Sequence, residues 1–162
     1  MAAIFDRVNQ SEYLYLRSIR DMGINQLELL IEEAIVNESR RGSLGRDNLP
    51  AELAFLYDDA APIESVPGCK VFRFFWKLYV AFLVTEECAG GCGNYEDELY
   101  EGRSLRIYSR SHFLDYLQLN TGGHSQPLLH YKIICGNHLI DVASVEPPEV
   151  EIMEFPVQLR IQ

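Results

Sequence analysis

Basic side chains are scarce in this sequence, and two long stretches have none. The chain has 14 Lys and Arg residues against 24 Asp and Glu residues, a formal net charge of −10. No base lies between Glu86 and Glu101 or between Asp141 and Glu154. Such a surface repels nucleic acids and anionic membranes and attracts cationic proteins. The composition therefore argues against nucleic acids and anionic membranes as partners and favours a basic protein.

Signals for export, membrane insertion and phosphate binding are also lacking. Met1–Gln10 has no cationic patch followed by an apolar run, which a secretory signal requires. The most apolar stretch, Val71–Val84, is too short to span a bilayer and contains Arg73 and Lys77. Neither Gly-x-x-x-x-Gly-Lys nor Gly-x-Gly-x-x-Gly occurs. We therefore expect a cytoplasmic protein, and the sequence predicts no cofactor.

The four cysteines do not form a recognisable metal or disulfide pattern. In a chain without an export signal, Cys69, Cys88, Cys92 and Cys135 are expected to be reduced thiols. Three residues separate Cys88 from Cys92, a spacing that zinc accepts, but a second pair of ligands is missing. The sequence favours a loop with incidental thiols, so no metal site is predicted.

Hydrophobic alternation gives the clearest secondary-structure signal. Every even position from Phe72 to Val84 is apolar, mostly aromatic or β-branched, which is typical of a strand. This segment is long for one strand, so a bend or bulge is expected near Lys77. Ile24–Val36 fits both a strand and a helical face, with a slight preference for the strand.

Turn and cap residues predict further elements. Gly136-Asn137 joins two apolar segments and predicts a hairpin, and Gly23–Asn25 predicts another turn. Ser109 or Ser111 can cap a helix that runs to about Leu119. Additional strands are predicted at Glu12–Arg17, Leu105–Tyr108 and Val150–Ile161, with exposed or irregular segments at Asn37–Pro50, Ala51–Pro67 and Cys88–Glu101.

These signals together predict one α+β domain over residues 1–162. We expect a mainly antiparallel, twisted sheet of about five to seven strands, with one or two helices packed on one face. A chain of this length buries roughly 70% of its unfolded surface, so it can form a core without metal or disulfides.

One set of residues resembles a nucleophilic site. Cys135, His138 and Asp141 lie within the predicted hairpin, and His130 lies nearby. A thiol activated by a histidine that a carboxylate orients is the general arrangement of cysteine nucleophiles. However, strand pairing on one hairpin rarely brings three such side chains together, and the apolar run around Cys135 favours a core residue. His138 and Asp141 are expected to bond the local backbone at the turn.

The acidic segment before Leu105 resembles a protein interface. Aromatic and leucine side chains alternate with carboxylates there, as in tight interfaces where buried anchors sit inside a charged rim. The alternative is a solvated loop whose charge serves solubility. The predicted partner-binding residues are Tyr95, Glu96, Asp97, Glu98, Leu99 and Tyr100.

Several strings together resemble a group of small, acidic, functionally uncharacterised bacterial proteins, some of which lie near polymorphic-toxin genes as immunity proteins do. The strings are Trp76-x-x-Tyr79-Val80, Tyr108-Ser109-Arg110-Ser111-x-Phe113-Leu114-Asp115-Tyr116, His130-Tyr131, Asn137-His138-x-Ile140-Asp141-Val142 and Pro147-Pro148. The resemblance covers about Cys69–Val150 and implies no catalytic residue.

Three functions follow as hypotheses. The first is an acidic binding protein that neutralises a basic partner, most simply an immunity protein for a bacterial toxin. The second is a small thiol-dependent enzyme that uses Cys135 with His138 and His130. The third is a self-associating subunit, a homodimer held by an uncovered sheet edge.

Overall fold

A computed structural model describes residues 2–42, 59–89, 96–124 and 126–154. The helices are α1, Ala2–Gln10, and α2, His112–Thr121, and short 3₁₀ turns lie at Glu38–Arg40 and Glu87–Ala89. The strands in chain order are β1 Tyr13–Gly23, β2 Gln26–Val36, β3 Ile63–Glu64, β4 Lys70–Trp76, β5 Tyr79–Glu86, β6 Leu99–Glu101, β7 Leu105–Arg110, β8 Leu129–Ile134, β9 His138–Ser144 and β10 Glu149–Glu154.

The strands form two antiparallel sheets of five strands each. The first sheet has the order β1-β2-β4-β10, with β3 paired to the end of β2, and the second has the order β5-β9-β8-β7-β6. The predicted α+β class and antiparallel pairing are confirmed. The strands are divided between two sheets rather than gathered in one, which the sequence did not predict.

The long alternating segment is where the chain passes between the sheets. β4 ends at Trp76 in the first sheet, and β5 begins at Tyr79 in the second. The bend expected near Lys77 is therefore present, but it separates two strands. Alternation continues across it because Phe74 and Phe82 both face the space between the sheets, one from each side.

The two sheets share one buried hydrophobic cluster. The Trp76 ring stacks on Phe74 with centroids 5.9 Å apart and meets Tyr131 of the second sheet edge-on at 6.1 Å. The cluster takes Leu14, Leu27, Leu29, Ile31 and Phe72 from the first sheet and Leu105, Ile133, Ile140 and Val142 from the second. Strand alternation then places the neighbouring residues on the outer faces.

The β1–β2 hairpin confirms the strand interpretation of Ile24–Val36 and the turn at Gly23–Asn25. Ile24 and Asn25 both have positive φ, 51° and 58°, as the two central residues of a type I′ turn require. A positive φ is unusual for a β-branched residue, and Ile24 is 94% exposed there. The carbonyl of Asn25 accepts a hydrogen bond from the Tyr79 amide at 2.8 Å, which joins this turn to the start of β5.

The predicted β8–β9 hairpin is also present, and its turn docks on β1. The Asn137 side chain accepts from the Leu16 amide at 2.9 Å and donates to the Leu16 carbonyl at 3.0 Å. The strand register shifts between Leu16 and Ser18, where β1 carries an extra residue. The Asn137 side chain therefore hydrogen-bonds both backbone groups of Leu16 at the bulged edge of the first sheet.

The outer face of the first sheet carries a chain of ion pairs across four strands. Arg20 of β1 pairs with Glu28 of β2 at 2.7 Å, Glu28 with Arg73 of β4 at 2.6 Å, and Arg73 with Glu151 of β10 at 3.1 Å. The hydrogen bond to Glu28 is the main reason that the pKa of Arg73 is raised. Acidic charge on this face is therefore largely compensated within the protein.

Helix α1, which the sequence analysis did not predict, docks through Asn9. Its side-chain oxygen accepts hydrogen bonds from the amides of Arg103, Ser104 and Leu105, each at 2.9 Å. The turn that presents these amides includes Gly102 at φ 95°, and a Cβ there would lie 2.0 Å from the Leu105 carbonyl oxygen. Glycine is required at this position, since any other residue would clash with the turn.

We expect Asn9→Ala to lower the free energy of unfolding by about 1–3 kcal/mol, because three amides lose their shared acceptor. Asn9→Asp keeps an oxygen at this place and should retain most of the stability. Urea unfolding of the two variants beside the parent protein tests this, and an Asn9→Ala protein as stable as the parent would contradict it.

Candidate functional site

The predicted partner-binding segment lies at an edge of the second sheet. Tyr95 lies outside the described residues, as does Cys92. Leu99 and Tyr100 lie on β6, which corrects the prediction that Cys88–Glu101 is loop throughout. They are 58% and 45% exposed, large values for apolar side chains. The guanidinium of Arg106 lies 4.3 Å from the centre of the Tyr100 ring and supports it from one side.

Two of the predicted partner-binding acids, Asp97 and Glu98, form contacts with other residues of this chain. Asp97 contacts His112 Nε2 at 2.8 Å and Arg110 at 3.4 Å, and Glu98 accepts from the His112 amide at 2.9 Å. The bond to His112 is the main cause that lowers the pKa of Asp97. Both carboxylates lie at the first turn of α2, where negative charge is favourable. These contacts stabilise the N-terminal end of α2.

The two ends of the acidic stretch lie far apart. Glu86 ends β5 and Glu101 ends β6, and these strands form opposite edges of the second sheet. Four strand spacings separate them, about 19 Å. Among the described residues, Glu86, Glu87, Glu96 and Glu101 have no ion-pair partner. The stretch therefore provides two separate surfaces, and we call the one formed by Glu96, Leu99, Tyr100 and Glu101 the β6 surface.

The proposed thiol site is not assembled. Cys135 belongs to the buried cluster between the sheets, whereas His130 faces the opposite side of the second sheet, toward α2. Burial raises the pKa of the Cys135 thiol to about 12. Within the described residues no hydrogen bond links this thiol to a histidine. A buried, protonated thiol is a poor nucleophile.

Sequence reasoning missed a hydrogen-bonded chain of Ser111, His130 and Asp141. His130 Nδ1 lies 2.8 Å from Ser111 Oγ, and its Nε2 lies 2.8 Å from Asp141 Oδ1. Asp141 also lies 3.4 Å from Lys132 Nζ. This corrects the expectation that Asp141 bonds the local backbone at the turn. No local sequence pattern links these residues, because Ser111 lies 19 positions and Asp141 lies 11 positions from His130.

Ser111, His130 and Asp141 are the residue types of a serine-hydrolase triad, but they are buried and a substrate cannot reach them. Ser111, His130 and Asp141 are 1%, 2% and 6% exposed. The Ser111 hydroxyl accepts from the Leu114 amide as the N-cap of α2, which confirms Ser111 as the predicted cap. His130 also stacks on Tyr108 at 4.4 Å and contacts Phe113 of α2 at 5.1 Å. This arrangement fixes α2 to the outer face of the second sheet.

Metal ligands and membrane spans are not found in the described part of the chain. No group of three or more His, Cys, Asp or Glu side chains in residues 2–42, 59–89, 96–124 and 126–154 is arranged to hold a metal ion. No helix among these residues is long and apolar enough to cross a membrane.

Comparisons with known proteins add no relative. No family model, no curated protein and no solved structure matches this chain.

The exposure of Cys88 and the burial of Cys135 predict different reactivities for these two thiols. At neutral pH a thiol reagent should label exposed Cys88 rapidly, whereas Cys135 should react at least about a hundredfold more slowly, because it must first be uncovered and lose its proton. Timed alkylation with peptide mass mapping measures both rates. Labelling of Cys135 as fast as Cys88 in the folded protein would restore the thiol-enzyme hypothesis.

The contacts of the buried His130 predict that its removal destabilises the protein, with the earliest effect at α2. His130→Ala removes the partner of both Ser111 and Asp141, and we expect it to cost about 2–4 kcal/mol of unfolding free energy. Hydrogen exchange should lose protection first in His112–Thr121. His124→Ala, at an exposed histidine, is the matched control. Equal stability of the two variants would argue against a fastening role.

Proposed function

We propose that the protein binds and neutralises a basic protein partner, most simply a toxin domain, through the β6 surface. The observation that supports this most directly is the combination of exposed Leu99 and Tyr100 with Glu96 and Glu101, which have no ion-pair partner among the described residues. Aromatic anchors surrounded by a polar rim are typical of specific protein interfaces.

The distribution of charge favours this surface over the first sheet. On the outer face of the first sheet, Glu28 and Glu151 are already paired with arginines. A basic partner that binds there would have to displace those arginines. At the β6 surface the Arg106 guanidinium lies against the Tyr100 ring, and Glu96 and Glu101 have no ion pair among the described residues, so these two carboxylates can attract a cationic protein.

Self-association is a second candidate, supported by β5. This strand is the other edge of the second sheet, and it has no charged side chain from Tyr79 to Thr85, while Leu83 is 49% exposed. Edge strands without charge are the ones most open to pairing with another chain. By contrast, the edge strand β10 carries three glutamates. Light scattering over a range of protein concentrations separates this candidate from a monomeric binder.

The β6 surface predicts a position-dependent effect of charge reversal. A basic protein retained from the native lysate should bind Glu96→Lys/Glu101→Lys with an association rate about tenfold lower at low salt, because steering is lost where the partner lands. Stopped-flow binding measures the rate, and raising the salt should narrow the difference.

The matched control is Glu86→Lys/Glu87→Lys, at the opposite edge of the second sheet. It changes the net charge equally and should have a much smaller effect. Equal slowing by the two variants would show that the whole field, and not the β6 surface, attracts the partner.

A further inference from the structure

Helix α1 borders two cavities that meet at Phe5. The larger, of about 490 Å³, lies between Ile4 and Phe5 of α1 and Pro148 and Val150 near the start of β10, with Glu146 and Glu149 at its rim. The smaller, of about 210 Å³, lies between Phe5 and Ile107 of β7, with Asp6 and Glu101 at its rim. We call the two together the α1 groove.

The α1 groove is lined mainly by apolar side chains, and its charged residues are exposed and acidic. Every charged residue that lines either cavity is acidic. Among the described residues, Asp6 and Glu101 have no ion-pair partner, whereas Glu149 pairs with Lys77, and Glu146 lies near enough to the same lysine to contribute to its raised pKa. The larger cavity has the volume of a small ligand site, about 300–1,000 Å³.

We infer that the α1 groove takes a basic amphipathic segment of the partner, with apolar side chains in the larger cavity and lysine or arginine heads at the acidic rim. The inference rests on the proposed function and adds the chemistry of the contact. An anionic segment is repelled by the rim. A purely apolar segment would remove water from the carboxylates without pairing them, and a purely cationic one would leave Ile4 and Val150 uncovered.

The α1 groove is continuous with the β6 surface. Glu101 belongs to both, and Tyr100 precedes it on β6. One partner can therefore place aromatic or apolar contacts on Tyr100 and Leu99 and extend a basic segment along α1.

The test uses a short synthetic peptide with leucine and lysine at helical spacing, titrated into the isotope-labelled, full-length protein and followed by NMR. An all-lysine peptide and a leucine–glutamate peptide are the probe controls. The groove variants are Ile4→Ser and Glu146→Lys. Their matched controls are Ile24→Ser, at an isoleucine 94% exposed on the β1–β2 turn, and Glu87→Lys, at the far edge of the second sheet.

We expect the leucine–lysine peptide to shift the amide signals of residues 4–6 and 149–150 in a saturable way. Each groove variant should weaken its binding about fivefold or more, whereas the control variants should change it less than about twofold. The all-lysine peptide should bind at least about tenfold more weakly. Shifts spread evenly over the acidic surface, no binding, or equal losses in groove and control variants would overturn the inference.

The outcome separates the groove from the function. If a captured basic partner depends on Glu96 and Glu101 while the peptide ignores the groove, the inference fails and the proposed function stands. If no basic partner is retained at any salt concentration, the proposed function fails, whatever the peptide does.

Discussion

The short connection between β4 and β5 constrains the relative position of the two sheets. Only Lys77 and Leu78 separate the two strands, so the last residue of one sheet and the first of the other are fixed close together. Trp76 packs against both sheets on one side of the bend, and the Tyr79 amide bonds the Asn25 carbonyl on the other. This short connection keeps the two sheets close together, and their inner faces share one core.

The fold determines which of the acidic side chains are paired with cations and which are not. The outer face of the first sheet compensates its own acids by alternating Arg and Glu across four strands. On the second sheet, Asp97 and Glu98 are committed to the first turn of α2. Among the described residues, the acids without an ion pair include those beside β6 and along α1, next to exposed apolar groups, and Glu86 and Glu87 at the opposite edge of the second sheet. The acids on the outer face of the first sheet are thus compensated, whereas those at the edges of the second sheet are not.

The features predictable from the sequence were those set by near neighbours. The Ser111 cap and the Gly136-Asn137 hairpin depend on residues a few positions away, and strand alternation in Ile24–Val36 is visible locally. The division into two sheets depends on which strands pair, which alternation does not encode. Likewise, the contacts of His130 join three distant segments, and the docking of α1 depends on amides that no side-chain pattern marks.

The Asn9 contact has a consequence for how the chain is made. Its three amide partners lie 94 to 96 positions later in the sequence. At a synthesis rate of about 5–20 residues per second, they leave the ribosome roughly 5–20 s after α1 does. During that interval Phe5 and Val8 lack the turn and the part of the core that the second sheet contributes. Helix α1 is therefore synthesised well before the amides that secure it, so the wall of the α1 groove is completed only when the second sheet exists.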